Sequence, residues 1–126
     1  MRIAFFTDSY HPRVSGLVSS LDEFMKGFRE MGHEVLLVCP AYPRKRMNGR
    51  IDPSNILRVP SMTAIVDPED RLALPWTTRE TLAKVEAFHP DIVHVQTEFS
   101  IGNMGRRYAR EHGLALVSTS HTHYEM

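Results

Sequence analysis

The 126-residue sequence is poor in cysteine, has no long apolar run and carries no excess charge of either sign. Its one cysteine, Cys39, has no partner in the chain, which excludes an internal disulfide and indicates a reducing compartment. The 15 basic and 15 acidic residues cancel, so the overall charge does not favour nucleic-acid binding. No apolar run suits a signal peptide or a membrane-spanning helix. We therefore expect a cytoplasmic protein that contacts a membrane only peripherally, at the inner face.

Five short segments predict the strands of a single domain, and 42% hydrophobic residues are enough for one core. Four of them are nearly continuous in apolar character, which is typical of strands buried on both faces of a sheet. They read "RIAFF" (2–6), "EVLLVC" (34–39), "DIVHV" (91–95) and "LALVST" (114–119). A weaker fifth segment, "NILRVP", ends at a proline. Residues 41–78 are expected to hold at most this one strand.

Three segments between the strands have helical patterns. The first, "LVSSLDEFMKGFREMG", spaces its apolar residues for a helix and ends at Gly32. The second begins with Thr77 three residues before Glu80, which is the spacing of a capping box. The third has Ser100 as a candidate N-cap and Gly113 as a stop, although two internal glycines weaken its helix propensity.

This alternation of strands and helices indicates the fold class. Strands separated by helices of this length form βαβ units, whose crossovers are right-handed and whose sheet is parallel. The sequence therefore predicts an α/β fold, a Rossmann-like doubly wound parallel sheet of about five strands with helices on both faces. Ligands of such sheets bind beyond the carboxyl ends of the strands, so a site is expected in the loops that follow the strands.

The loop after the first strand, "TDSYHPRVSG", carries more polar chemistry than a connection requires. It enters the first helix at Gly16, where a glycine allows close backbone approach and unpaired N–H groups can face a diphosphate. A plain helix entry is the alternative, since one glycine is not a G-x-G-x-x-G motif. Asp8 either caps a turn or contacts a ligand, and Tyr10 either packs or forms a platform for a sugar-like ring.

Polar side chains also follow the last two strands. One loop holds Thr97 and Glu98, and the other holds His121 and His123. Because all three polar loops should lie at the same edge of the sheet, they favour a sugar or polyol site. Glu98 has an alternative role as a carboxylate that favours a helix dipole. His94 lies inside a strand, and we interpret it as a core histidine.

Seven histidines raise the question of a metal site. His121 and His123 alternate across an extended segment, so at most one of them faces a cleft. No cysteine or carboxylate lies at a familiar zinc spacing around them. We therefore expect no metal.

A basic cluster follows the second strand. It contains Arg44, Lys45, Arg46 and Arg50. Such a run is either a solvated loop or a surface that attracts anionic lipid headgroups, and the sequence leaves both open.

Five segments taken in order resemble the N-terminal domain of the family 4 retaining glycosyltransferases, which have the GT-B fold. They read "IAFFTDSYHPRVSGLVSSL", "GHEVLLVCP", "RLALP", "PDIVHVQTEFSIG" and "STSHTHYE". The resemblance covers nearly the whole chain and is greatest to the branch that glycosylates diacylglycerol and related lipids. It implies two Rossmann-like domains across a cleft, of which the first mainly binds the acceptor and the second mainly binds the donor.

The resemblance also implies roles for individual residues. Ser15 and Gly16 fall in the loop that approaches the donor phosphates. His121 matches the cleft histidine near the transferred sugar, which makes it the catalytic candidate. The acceptor side would hold Asp8, Tyr10, Thr97 and Glu98. The implied reaction retains the anomeric configuration without a metal or cofactor, and its donor substrate is a nucleotide-sugar such as UDP-glucose or GDP-mannose.

The sequence ends at Met126, just beyond the last predicted strand, "LALVST". Residues 1–126 are therefore expected to form one acceptor-side domain, the truncated N-terminal half of a GT-B fold, with the donor domain absent. One wall of a cleft cannot hold donor and acceptor in a reacting geometry, so the chain alone is expected to be inactive. An uncovered surface is expected to promote self-association. The alternatives are a stand-alone module that binds a sugar or lipid headgroup and a regulatory, flavodoxin-like domain.

Overall fold

The computed structural model describes residues 1–13, 15–63, 71–73, 75–97 and 99–118. Its strands are β1 (Arg2–Phe6), β2 (Glu34–Pro40), β3 (Ile56–Val59), β4 (Ser61–Thr63), β5 (Arg71–Ala73), β6 (Ile92–Val95) and β7 (Ala115–Ser118). Its helices are α1 (Gly16–Glu30), α2 (Arg44–Met47), α3 (Thr78–Phe88) and α4 (Ser100–His112), with a 3₁₀ turn at Pro75–Thr77. None of the helices described is long and apolar enough to cross a bilayer. All five predicted strands and all three predicted helices are present.

Five strands form one parallel sheet in the order β3-β2-β1-β6-β7. In the centre, Phe6 of β1 is in register with Val38 of β2 on one side and with Val95 of β6 on the other. The chain thus builds outward from β1 in one direction and then crosses to build in the other. This order is that of a doubly wound, Rossmann-like sheet, and it places a topological switch point between the carboxyl ends of β1 and β6.

The core has two halves, one on each face of the sheet. Ile3 and Phe5 of β1 pack with the buried side chains of α1, whereas Ala4 and Phe6 pack with those of α3 and α4. Because successive strand residues point to opposite faces, a strand covered on both faces must be apolar throughout. The predicted helices on both faces are confirmed. Cys39 is buried, and burial raises the pKa of its thiol to about 12.

Helix α4 forms in spite of its two internal glycines because both are needed for close packing. A Cβ on Gly102 would overlap the backbone carbonyl oxygen of Thr97, in the loop after β6. A Cβ on Gly105 would lie 2.5 Å from the ring of Phe6. The glycines lower the helix propensity, but they let α4 approach both β1 and the loop between β6 and α4.

Three local predictions are corrected. Residues 41–78 hold more than one strand: they contain α2, β3, β4 and β5, and β4 pairs antiparallel with β5 outside the main sheet. Three-residue strands are too short to show a periodic pattern. Helix α3 follows a 3₁₀ turn, so the chain enters it at Thr77 already in a helical conformation rather than through a capping box. Ser100 is the first residue of α4 rather than its N-cap.

Candidate functional site

Asp8 lies just beyond β1 and joins the two loops at the switch point. It is 6% exposed, and its carboxylate accepts hydrogen bonds from the N-terminus of α4. The donors are the backbone N–H groups of Phe99 (3.2 Å), Ile101 (2.5 Å) and Gly102 (3.1 Å) and the hydroxyl of Thr97 (2.5 Å). The backbone N–H of Asp8 in turn donates to the Thr97 hydroxyl oxygen at 2.9 Å. The residue therefore caps a helix that begins more than 90 positions later.

The electrostatics of Asp8 follow from this burial. Desolvation raises the pKa of its carboxyl, and the Thr97 hydroxyl and the α4 N–H groups oppose that shift by stabilising the ionised form. The positive end of the helix dipole favours the same charge. The structure thus brings together two of the predicted acceptor-side residues, Asp8 and Thr97, and it gives both a role in fixing the loops. Their contact with an acceptor stays a prediction.

Tyr10 lies further along the same loop and is also buried, with 5% of its surface exposed. Its hydroxyl donates to Oδ1 of Asp22 on α1 at 2.6 Å, and Oδ2 of Asp22 lies 2.6 Å from Nε2 of His11. The Tyr10 backbone N–H donates to the hydroxyl of Tyr42 at 3.3 Å. Burial and the Asp22 carboxylate raise the pKa of Tyr10 well above its ordinary value, so the phenol stays protonated. The ring is packed inside the loop rather than exposed as a platform.

An arginine pair extends this cluster toward β3. Arg58 donates from Nε (2.9 Å) and Nη2 (3.1 Å) to the two carboxylate oxygens of Asp52, and from Nη1 to the backbone carbonyl of Pro40 (2.9 Å). Arg50 donates to the same carboxylate at 3.1 Å. The hydrogen bonds from Arg58 lower the pKa of Asp52. The guanidinium groups of Arg50 and Arg58 lie 5.9 and 5.6 Å from the ring centre of Tyr10.

The predicted basic cluster is therefore divided by the structure. Arg50 belongs to the hydrogen-bonded network around Asp52. Arg46 lies over the ring of Tyr42 at 5.1 Å. Arg44 and Lys45 are exposed on the short helix α2.

Ser15 and Gly16 form the entry to α1, where the sequence predicts an approach to donor phosphates. The Ser15 hydroxyl accepts a hydrogen bond from the backbone N–H of Val18 at 3.2 Å, so it is the N-cap of the helix. Gly16 is exposed, and a Cβ on it would meet nothing within 4 Å. The first turn of α1 thus has open space beside it, and the contact with phosphates stays a prediction.

The remaining predictions have mixed outcomes. His94 is confirmed as a core histidine: it stacks on Phe5 at 4.7 Å, its Nε2 lies 3.1 Å from the Gln96 amide nitrogen, and burial lowers its pKa. Glu98 and His121 lie outside the described residues, as does His123. Within the described part of the chain, no three His, Cys, Asp or Glu side chains are grouped as metal ligands would be.

Sequence reasoning missed the partners that hold the polar loops. Asp22 is one polar residue among several on α1, so its sequence position gives no signal. Arg58 did give a sequence signal. A charged residue inside a strand segment such as "NILRVP" requires a polar partner when that strand is packed. Asp52, six residues earlier, supplies that partner.

Helices α1 and α4 leave the switch point on opposite faces of the sheet. Between their N-termini lie the loop after β1 and the loop after β6, joined by Asp8 and Thr97. In open α/β sheets, such a crevice is where ligands bind. Its polar groups and open helix N-terminus suit a hydroxylated or anionic ligand.

Known proteins share this sequence pattern. The chain is 34% identical over 125 residues to an alpha-monoglucosyldiacylglycerol synthase of Streptococcus pneumoniae and 30% identical over 125 residues to one of Acholeplasma laidlawii. It is 29% identical over 124 residues to a GDP-mannose-dependent alpha-mannosyltransferase of Mycobacterium tuberculosis. These alignments cover 97–99% of this chain but only 27–32% of the relatives, so the chain spans about a third of their length.

A family model gives the broader assignment. The model described as Glycosyltransferase Family 4 matches residues 14–125, which include every element from α1 to β7. That match covers most of the chain, and the parallel sheet is the one expected of a GT-B half-domain. The chain therefore belongs to glycosyltransferase family 4.

Proposed function

We propose that this chain is the acceptor-side part of a retaining glycosyltransferase that moves a sugar from a nucleotide-sugar to a lipid or polyol acceptor. The observation that carries the proposal is the crevice between β1 and β6, where the Asp8 carboxylate and Thr97 fix two polar loops beside the open first turn of α1. The relatives named for lipid products support a lipid acceptor. The relative named for GDP-mannose supports a nucleotide-sugar donor.

Within this proposal, the described residues position the substrates. The N–H groups at the start of α1, behind Gly16, would face the donor phosphates as they leave. Asp8 would act indirectly by positioning α4, since its carboxylate is occupied by the N-terminus of that helix. Thr97 would hold the acceptor-side loop in place through its hydrogen bond to Asp8. His121 and Glu98 keep their proposed places near the transferred sugar and the acceptor.

The proposed chemistry needs an opposing domain. Transfer depends on holding donor and acceptor close together and on stabilising the departing diphosphate. A single half of the cleft supplies neither function completely, so the 126-residue chain alone is proposed to be inactive.

The test uses a protein of the relatives' length that contains this chain, assayed with radiolabelled UDP-glucose or GDP-mannose and with diacylglycerol or a monoglycosylated diacylglycerol. Labelled glycolipid should form, and the His121→Ala variant and the 126-residue chain should form little or none. Acceptor binding without any turnover in the longer protein would favour a binding module instead. Turnover by the short chain above that of its own His121→Ala variant would contradict the proposed need for a second domain.

Membrane contact is a further part of the proposal. Arg44 and Lys45 are exposed and adjacent on α2, and neither side chain has a hydrogen-bond or ion-pair partner among the described residues. A lipid acceptor requires the protein to work at a bilayer surface, and exposed basic residues are attracted to anionic headgroups there. We therefore place the peripheral contact at these two residues.

A further inference from the structure

Helix α4 also forms one wall of a second groove. The groove has a volume of about 460 Å³ and runs between α4, the end of β5 and the start of α3. Its polar lining consists of Thr78, Ser100, Asn103, Arg106, Arg107 and Arg110. No acidic side chain lines it among the residues that the structure describes.

The three arginines share one side of α4 because of their spacing. Arg106 and Arg110 are four residues apart, and Arg107 and Arg110 are three apart, so they are neighbours on the helix surface. Like charges at these spacings repel and destabilise a helix. A bound anion would reduce that repulsion, so the charge of this surface favours a ligand of negative charge.

Hydrogen bonds to neighbouring residues orient two of the polar side chains that line the groove, Arg106 and Ser100. Arg106 is half-buried and donates from Nη2 to the hydroxyl oxygen of Ser118 at 2.7 Å, which holds its guanidinium at the wall. The Ser100 hydroxyl oxygen accepts a hydrogen bond from the backbone N–H of Ala73 at 3.0 Å, which leaves its own hydrogen available for donation. The side chains of Arg107 and Arg110 are exposed, and no hydrogen bond or ion pair joins those side chains to another described residue.

We propose that this groove binds a phosphate ester. Planar guanidinium groups match the oxygens of phosphate in a bidentate geometry, and hydroxyl and amide donors complete such sites. The volume lies within the range of about 300–1,000 Å³ that is typical of small-molecule pockets, and it leaves room for a polyol beside the phosphate. The ester is either a soluble polyol phosphate or the headgroup of a phospholipid.

This site is separate from the proposed approach of the donor phosphates at Gly16. Helix α1 packs on the face of the sheet that carries Phe5, whereas α4 packs on the face that carries Phe6. The groove therefore gives the domain a second place for phosphate, independent of whether the crevice binds a sugar donor.

Calorimetric titration of the 126-residue chain with glycerol 3-phosphate and with inorganic phosphate tests the site. Sedimentation with vesicles of phosphatidylglycerol or of phosphatidylcholine tests the lipid source. The Arg107→Ala/Arg110→Ala double variant should bind at least tenfold more weakly, and the lysine double variant at the same positions should fall in between. The matched control is Lys26→Ala/Arg29→Ala, which removes the same charge from exposed positions of α1.

Binding of the soluble esters with loss only in the α4 variant supports a soluble ligand. Binding of phosphatidylglycerol vesicles alone, weakened in the α4 variant but not in the α1 control, supports a lipid headgroup. Failure of every probe to bind, or an equal loss in the α4 variant and the α1 control, would overturn the proposal. All the substituted side chains are exposed, and thermal melting checks that each variant is folded.

Discussion

The hydroxyl of Thr97 lies 2.5 Å from Oδ2 of Asp8, although 89 positions separate the two residues in the chain. Around this contact, a buried carboxylate takes the place of a local cap for α4 and ties the end of β1 to the end of β6. The shape of the candidate crevice therefore depends on the bond between these loops.

The Asp8→Ala variant should be less stable by about 1–3 kcal/mol, because three backbone N–H groups and one hydroxyl lose their acceptor at a buried helix end. Urea unfolding measures this cost. Asp8→Asn keeps the shape but turns an N–H₂ group toward donors, so it should recover only part of the loss. An unfolding free energy within about 0.5 kcal/mol of that of the unmodified protein, the usual range for surface substitutions, would show that water replaces the carboxylate.

Gly102 and Gly16 both lie in helices, but substitution should cost much more stability at Gly102 than at Gly16. Gly102→Ala places a methyl group on the Thr97 carbonyl and should cost about 1–3 kcal/mol or more, because backbone rather than a flexible side chain must move. Gly16→Ala has open space and should change stability by less than about 1 kcal/mol. Thermal melting of both variants makes the comparison.

In a protein of the relatives' length that contains this chain, the same Gly16→Ala variant tests the proposed donor-phosphate site. If donor phosphates approach the start of α1, the added methyl group should raise the KM for the nucleotide-sugar while the protein remains folded. An unchanged KM would remove Gly16 from the proposed donor site.

Stability should fall on acidification partly because of His94. Burial lowers the pKa of this histidine in the folded state below its ordinary value of 6.5. The unfolded chain therefore binds more protons, and its relative free energy decreases as the pH falls below about 6.5. The contribution of neutral His94 to stability is therefore complete above about pH 6.5, and it is lost as the pH falls from there through the lower pKa of the folded state. The groups around the ring include the aromatic rings of Phe5 and Phe24 and the Gln96 amide.

Urea unfolding at pH 7.5 and pH 5.5 measures the effect, with His94→Gln as the comparison. The variant should lose less stability than the unmodified protein over this interval, whatever its stability at pH 7.5. Equal losses would assign the acid sensitivity to other histidines.

Membrane binding should depend on α2. The Arg44→Ala/Lys45→Ala variant should bind phosphatidylglycerol vesicles more weakly by about fivefold for each charge removed, and 0.5 M salt should abolish most of the difference. The Lys26→Ala/Arg29→Ala variant, with the same change in net charge, should bind like the unmodified protein. Similar losses in both would indicate attraction by net charge rather than by this surface.

The 126-residue chain should self-associate through β7. Among the described strands, β7 lies at one edge of the sheet. All four of its residues are exposed, and Leu116 and Val117 are 40% and 43% exposed. An apolar edge strand is a template for pairing with another chain. Sedimentation should show a concentration-dependent increase in mass that Val117→Lys suppresses. A monomer at every concentration would refute this prediction.

The sequence predicts the main sheet well because its signals are local. The nearly continuous apolar run around Phe5 and Phe6 is typical of a strand covered on both faces. Gly32 and Gly113 end α1 and α4 with the positive φ that such a helix end favours. The β4–β5 pair was missed because each strand has three residues and its pairing is not local.

The candidate site is less predictable for a related reason. Its loops follow from the strand order, but the partners do not: Asp8 reads as a turn residue until α4 is placed against it. Asp22 likewise has no distinguishing position until it meets Tyr10 and His11. These hydrogen bonds depend on how α1 and α4 pack beside the loop after β1, and no sequence pattern indicates that packing.

The absence of a Cβ at position 102 has a consequence for how variation in this domain should be read. The Thr97 carbonyl occupies the space that any larger residue would need, so every substitution there displaces a loop of the crevice without altering one polar side chain. Harmful substitutions in this domain therefore need not replace polar or charged side chains. Some will replace a glycine at a position where neighbouring atoms leave no space for a Cβ.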